Sequence, residues 1–478
     1  MAHSKDVILF ADAHPDREKF LVRRRDRRSS PGQRQRAPAL DCQAANGDTG
    51  PGIRGIAGGP LLMARLVYSL IIYLATPLIL LRLLWRARRQ PQYLQHLPER
   101  WAFHGVAAPA RLIWVHAVSV GETRAAQPLI EALQAAWPEH RILLTCMTPT
   151  GRAAGSEVYG DKVIQAYLPY DYPDAVDRFF RHFSPNFGVL METEIWPNLL
   201  AAAKRRGVPV VLANARLSER SARGYGKVAA LARPAFSALA AVAAQTPGDA
   251  QRIAQLGANN VSVCGNLKFD VAPAPEKIAL GKAWREALGG RQAWLAASTR
   301  EGEEAPVLEA WRGVAGSLAL LVLVPRHPQR FAEVAALLDR LGIDFVRRSD
   351  SLPGPETQVW LGDSMGEMAA YYALADIAFV GGSLLPLGGQ NLIEAAACAC
   401  PVVVGPHTFN FGQATADAIA AGAALRVPDA EALVGTVCRA LGNAGELGEM
   451  RAAALRFAAA HRGAGARTLA LIRSAVTG

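Results

Sequence analysis

The chain has 478 residues, 51% of them hydrophobic, with 52 basic against 41 acidic side chains and a net charge of +11. That length exceeds one ordinary core and calls for two or three domains, and the apolar content excludes a disordered protein. The basic surplus suits nucleic acid, anionic membrane or phosphorylated substrates without choosing among them. Six cysteines with no CxxC spacing offer no zinc or redox centre and read as free thiols in a reducing compartment.

Residues 1–62 combine an arginine cluster (Arg23, Arg24, Arg25, Arg27, Arg28) with Pro, Gly, Gln and Asp and carry no apolar periodicity. A disordered extension is expected there, with Met63 as the natural start. "MARLVYSLIIYLATPLILLRLLWRARR" follows, residues 63–89, uncharged from Leu66 to Leu81. A snorkelling Arg82 lengthens the apolar stretch to Trp85, and Arg86, Arg88 and Arg89 then mark a cytoplasmic flank. The basic residues beyond the run and the lack of a small-residue cleavage site favour a retained anchor over a signal peptide. Pro77 interrupts the run and leaves an interfacial helix as the alternative to a span.

From Leu112 onward short apolar runs alternate with helix-period stretches, the pattern of a doubly wound parallel sheet: "RLIWVHA", "ILLT", "FGVLME", "VPVVLAN", "ALAAVAA" and "NVSVCGN". The first crossover, "HAVSVGETRAAQPLIEAL", holds Glu122 in a small-residue turn at a strand's carboxyl end, where α/β sheets bind ligands. A plain helix-start acid, suited to the positive helix end, is the competing reading. "GVLMETEIWPNLL" sets Glu192 and Glu194 at another strand end, where two carboxylates feel each other's field if they approach closely. "CGNLKFD" adds Lys268.

The pattern breaks at "VAPAPEK" and restarts with "QAWLAAS", "LALLVLVPRH", "DFVRR", "QVWLGD", "ADIAFVGGS" and "CPVVVGP". The reading is therefore an extension (1–62), an anchor (63–89) and two Rossmann-like domains, 90–275 and 276–478, with the last helical stretch packing back across the joint. "LALLVLVPRHPQRF" brings Pro325 and Arg326 to a strand end, where a guanidinium suits phosphate. The glycine-rich loop from Gly381 to Gly389 precedes a helix expected to open at Asn391, and loop amides and helix start both favour an anion. Glu394, one turn on from Asn391, faces a ribose diol. No DxD motif is present to hold a metal against a diphosphate.

The stretches "HAVSVGE", "TPTGR", "METEIWPN", "NARLSERS", "GNLKFD", "PRHPQRF", "GDSMGEM" and "GGSLLPLGGQNLIE" together resemble the 3-deoxy-D-manno-octulosonic acid (Kdo) transferases of lipid A assembly. The resemblance implies a GT-B glycosyltransferase of the α/β class, anchored in the inner membrane with cytoplasmic catalytic domains. CMP-Kdo is the implied donor, lipid IVA the implied acceptor and inner-membrane lipids the surroundings, with no cofactor, no metal and no nucleic acid. Matched residue by residue, Glu122 falls on the family's proton acceptor, and Glu192 and Lys268 on positions assigned to transition-state stabilisation. Pro325 and Arg326, then Met365, Gly366 and Glu367, then Asn391, Leu392, Ile393 and Glu394, fall on the CMP-contacting segments. An inverting single displacement is implied as well. The family's "STHxGEE" reads "STREGEE" here, so Arg300 stands where a histidine is usual. The rivals are a nucleotide-sugar epimerase with the same two-domain cleft and a non-catalytic nucleotide-sugar binding module.

Overall fold

The computed structural model describes residues 59–314 and 319–477. They build two seven-stranded sheets in which every pairing is parallel. The first contains β1 (Leu112–His116), β2 (Arg141–Cys146), β3 (Val163–Tyr167), β4 (Phe187–Met191), β5 (Val210–Ala215), β6 (Ala241–Ala244) and β7 (Val261–Val263), in the order β3-β2-β1-β4-β5-β6-β7. The second contains β8 (Ala293–Thr299), β9 (Leu320–Pro325), β10 (Phe345–Arg347), β11 (Val359–Leu361), β12 (Ile377–Val380), β13 (Val402–Val404) and β14 (Ala424–Arg426), in the order β10-β11-β9-β8-β12-β13-β14.

Strands covered by helices on both faces must be apolar throughout rather than alternating, which is why the sequence shows unbroken apolar runs. In β1 all five residues are buried. Trp114 packs edge-on against Phe179 and Phe180 on one face, while Ile113 and Val115 enter a separate core with Leu129, Ile130 and Leu133 on the other. Strands β3 and β14 went unread: "VIQAY" is an edge strand carrying Gln165, and β14 is only three residues long.

Strand order reverses between β1 and β4 in the first sheet and between β8 and β12 in the second. The crevice outside such a reversal is where doubly wound sheets hold ligands. The link between domains leads into the helix Pro275–Ala287, which lies so close to the second domain that a Cβ on Gly281 would collide with the Ala370 carbonyl oxygen. As expected, the chain's end returns to the first domain. Leu469 and Ile472 of helix Ala464–Thr477 join the core beneath β1, and Asp270 accepts the Gly463 and Gly465 N–H groups.

The residues read as an anchor form two helices, Gly59–Leu74 and Thr76–Ala87, bent by 49° at the break before Pro77. The helix starts four residues ahead of Met63, so residues 59–62 of the extension expected at 1–62 are helical rather than disordered; residues 1–58 of it lie outside the described residues. No single described helix is long and apolar enough to cross a membrane. One side of the first helix packs on the first domain through Ser69 and Ile72, leaving Leu66, Leu70, Leu74, Leu81 and Trp85 of the pair exposed.

Candidate active site

Glu122 sits directly outside β1, at the first domain's strand reversal. The small-residue turn expected around Glu122 is a short helix, Val120–Ala125, followed by Gln127–Ala136 with Pro128 in its first turn. Ser119 caps the first helix by accepting the Glu122 N–H at 3.3 Å. The Glu122 carboxylate reaches back, taking the Val118 N–H at 2.8 Å and the Ser119 hydroxyl at 3.0 Å. This S-x-x-E exchange is a capping-box variant, so the helix-start reading has a geometric basis. Glu122 as a whole is nevertheless only 3% exposed, and burial, then the negative charges of Glu192 and Glu194, raise the proton affinity of its carboxylate well above that of an ordinary glutamate.

β4 ends at Met191, and the chain turns immediately, with Glu192 in the left-handed region at φ 59°. Neither Glu192 nor Glu194 therefore lies in the strand, and the charges of both act on Glu122. Glu192 pairs with the Lys268 ammonium at 3.7 Å. Glu194 is buried and accepts the Trp196 indole N–H at 3.0 Å; burial, reinforced by Glu192, pushes its carboxyl up to about 7. Lys268 rides on a 3-10 turn, Leu267–Phe269, whose first N–H is held by the Asn214 side chain at 3.0 Å. Asn214 itself has φ 54° at the end of the neighbouring β5. Left-handed non-glycine residues cost energy and cluster at functional sites. No apolar pattern announces them.

The second domain presents the opposite charge. Arg326 leaves β9 with its backbone N–H on the Thr299 carbonyl. Its guanidinium finds no partner among the described residues and its Nε is buried without one. Burial, then the charges of Arg124 and Arg300, lower its pKa, against the pull of Glu394. Glu394 is half-buried and its carboxyl is raised by burial, with Arg124 and Arg326 opposing. Arg124 belongs to the first domain, so charges from both domains meet in one cleft. Two further contacts tie its walls: Lys268 lies 5.2 Å above the Phe411 ring, and Arg216 donates to the Phe409 and Asn410 carbonyls at 3.1 and 3.0 Å.

Two expectations about this half are corrected. The glycine-rich loop does not hold its amides open for an anion, because the fully buried Glu303 takes the N–H groups of Gly382 (2.6 Å), Leu384 (3.0 Å) and Arg300 (2.9 Å). The helix after the loop runs only Ile393–Ala397, and Asn391 lies ahead of it, accepting the Ile393 N–H at 3.1 Å. Five residues carry too little aligned dipole to serve as an anion site.

Leu392 and Ile393 turn their side chains into the core, leaving Asn391 and Glu394 as the polar members of that segment. Pro325 is buried at the end of β9. On the adjacent strand end, after β11, Met365 is exposed, Gly366 has φ 76°, and Glu367 is tied to Ser364 at 2.6 Å and to Arg348 at 3.3 Å. The three segments share the carboxyl edge of one sheet. Glu303, Arg216 and Arg124 were missed by the sequence reading. An acid three residues from Arg300 was the available sign for Glu303; the other two depend on how the domains meet.

A family model described as 3-deoxy-D-manno-octulosonic-acid transferase matches residues 95–271. The 3-deoxy-D-manno-octulosonic acid transferase of Bordetella pertussis is 48% identical over 85% of this chain and 98% of its own length. The chain belongs to the Kdo transferase family. Among solved structures, a glycosyltransferase from Rickettsia africae superposes with a TM-score of 0.55 at 12% identity, over 78% of this chain and 99% of that one. A UDP-GlcNAc 2-epimerase from Neisseria meningitidis bound to UDP-GlcNAc gives 0.54 at 14%, over 76% and 100%. These likenesses establish the two-domain fold that transferases and epimerases share. Sequence, rather than fold, marks this chain as a Kdo transferase, and the epimerase alternative has only the fold in its favour.

Proposed function

We propose that this Kdo transferase uses CMP-Kdo as donor and a lipid IVA-type acceptor at the cytoplasmic face of the inner membrane, in an inverting displacement that needs no metal. The observation that carries the reading is the division of charge between the two strand reversals: a buried carboxylate of raised proton affinity on one side, and on the other a guanidinium with no hydrogen-bond partner among the described residues.

The acceptor hydroxyl must lose its proton as its oxygen attacks the anomeric carbon. Glu122 takes that proton, and its two existing hydrogen bonds leave lone pairs free to receive it. Raised proton affinity suits a base that must hold the proton once transferred. The bond from the anomeric carbon to the phosphate oxygen breaks, and its electron pair leaves with CMP. Arg326 meets that negative charge, supported by Lys268, and Glu192 orients Lys268. These cations perform the neutralisation that a divalent ion supplies in diphosphate-dependent transferases. Asn391 and Glu394 receive the ribose and Met365 to Glu367 border the nucleotide. Kdo's own carboxylate is a second anion on the donor, and Arg300, beside Gly382 and close enough for its field to act on Arg326, suits it.

The bent helix pair seats the enzyme on the bilayer. Its exposed leucines and Trp85 enter the lipid, and Arg86, Arg88 and Arg89 meet anionic headgroups at about 1 kcal/mol each.

Incubation with CMP-Kdo and lipid IVA, followed by mass spectrometry, tests the reading. The expected product is lipid IVA heavier by whole Kdo residues with matching release of CMP. Release of CMP without a glycosylated lipid, or no turnover, would contradict it.

A further inference from the structure

The helix Pro197–Arg205 begins immediately after the turn that carries Glu192 and Glu194, yet its own N-cap residue is Trp196, which supplies no capping oxygen. A helix start leaves N–H groups without intrahelical partners, and burial makes them costly to leave unpaired. The missing oxygen comes from 26 residues earlier in the chain. Asp171, 2% exposed, accepts the Asn198 N–H at 2.9 Å and the Leu199 N–H at 2.8 Å, and its carbonyl accepts the Asn198 side-chain amide at 2.7 Å. The separation is that between Asp171 and Pro197.

The same carboxylate has a third partner from a distant part of the chain. The Tyr68 hydroxyl, on the helix Gly59–Leu74, donates to Asp171 Oδ2 at 3.1 Å. One residue along that helix, the Ser69 hydroxyl and the Asn198 side chain exchange a hydrogen bond at 3.1 Å. Burial pushes the Asp171 carboxyl up to about 7 in spite of its donors, so it is an expensive group to keep at a place where a serine at position 196 would cap the helix locally. A local cap would not reach the N-terminal helix.

We propose that Asp171 is a positioning residue for the Glu192–Trp196 turn, and that Tyr68 and Ser69 make the N-terminal helix part of the active-site scaffold as well as the enzyme's seat on the membrane. Asp171 fixes where the Pro197 helix starts, that start fixes the turn, and the turn sets Glu194 and the Glu192–Lys268 pair against Glu122. The membrane-facing helix and the catalytic turn thereby move as one body. The inference rests on the reading of Glu192 and Glu194 as part of the catalytic site.

The test uses the full chain with Asp171→Asn and Tyr68→Phe, and Glu192→Gln and Glu194→Gln in parallel. Misplacing catalytic groups by about 1 Å costs up to 100-fold, so Asp171→Asn should lower kcat by about tenfold and Tyr68→Phe by about threefold, with the Kd for CMP unchanged in both. Kinetics are run well below each variant's melting temperature. A variant that melts earlier but turns over at the parent's rate would reduce Asp171 to a helix cap and overturn the inference. Should Asp171→Asn fail to fold, Tyr68→Phe decides alone, because it leaves the cap in place: parental turnover there overturns the inference. Slow Glu192→Gln and Glu194→Gln beside normal Asp171 and Tyr68 variants would reject the positioning role while keeping the catalytic reading. Normal turnover in both glutamate variants would reject that reading and the inference with it.

Discussion

The two strand reversals are alike in topology and opposite in chemistry. Outside β1 and β4 stand Glu122, Glu192 and Glu194, with the Lys268 ammonium paired to Glu192. Outside β8, β9 and β12 stand Arg300 and Arg326, with the nearby carboxylate of Glu303 spent on backbone N–H groups. The fold supplies two equivalent crevices, and the residues at the strand ends decide what each does. A carboxylate crowded by other carboxylates and by burial holds a proton tightly and serves proton transfer. A guanidinium keeps its charge in the same surroundings and serves a phosphate.

The comparison breaks most visibly at Glu122. Glu122→Gln keeps the shape of the capping box but cannot take a proton, and turnover should fall by about 100-fold or more. If Glu122 serves only as a helix-start acid, the change lowers stability by about 0.3–1 kcal/mol and leaves turnover near normal. Steady-state kinetics at saturating donor with acceptor varied separates the two. On the opposite wall, Arg326→Ala should weaken CMP by about tenfold, the worth of one charge-assisted contact, with little change in melting temperature because the guanidinium holds no hydrogen-bond partner among the described residues. Calorimetric titration beside a thermal melt checks both halves of that statement.

Glu303→Gln sharpens the comparison from within the donor side. An amide cannot accept from Gly382, Leu384 and Arg300 as the carboxylate does, so the glycine-rich loop should loosen. A drop in melting temperature together with CMP binding weakened by about threefold is expected, measurable in the same titrations.

The smallest effect is one of pH. Glu122 must be ionised to act, and its raised pKa places the acid limb of kcat above the ordinary carboxylate range. Glu192 contributes to that rise through its negative charge, so Glu192→Gln should move the limb to lower pH, by about half a unit, whatever it does to the plateau. The limb belongs to a coupled set of carboxylates rather than to one group. A limb unmoved in a kcat–pH profile would mean that Glu192 does not feel the base.

Most of the sheet framework was legible because strands buried on both faces need continuous apolar runs, and Glu122, Lys268 and Arg326 were legible because they sit in the turns that end such runs. What escaped has physical causes. The short helix Val120–Ala125 escaped because "VGETRA" carries no apolar periodicity. The turn that carries Glu192 and Glu194 escaped because the strand stops at Met191, and a left-handed Glu192 has no sequence signature. The glycine-rich loop was read as open because glycines report backbone freedom and say nothing of what occupies the freed amides. Asp171 reads as an unremarkable acid in "YDYPDA", since its partners come from positions 68, 198 and 199.

The central claim is that proton transfer and nucleotide binding are divided between the two reversals. Its most direct test is the calorimetric titration of CMP into the Glu122→Gln enzyme. The division predicts a Kd within about twofold of the parent's in a protein whose turnover has fallen by about 100-fold. A CMP affinity that collapses along with turnover would place Glu122 in nucleotide binding or in the fold and contradict the account.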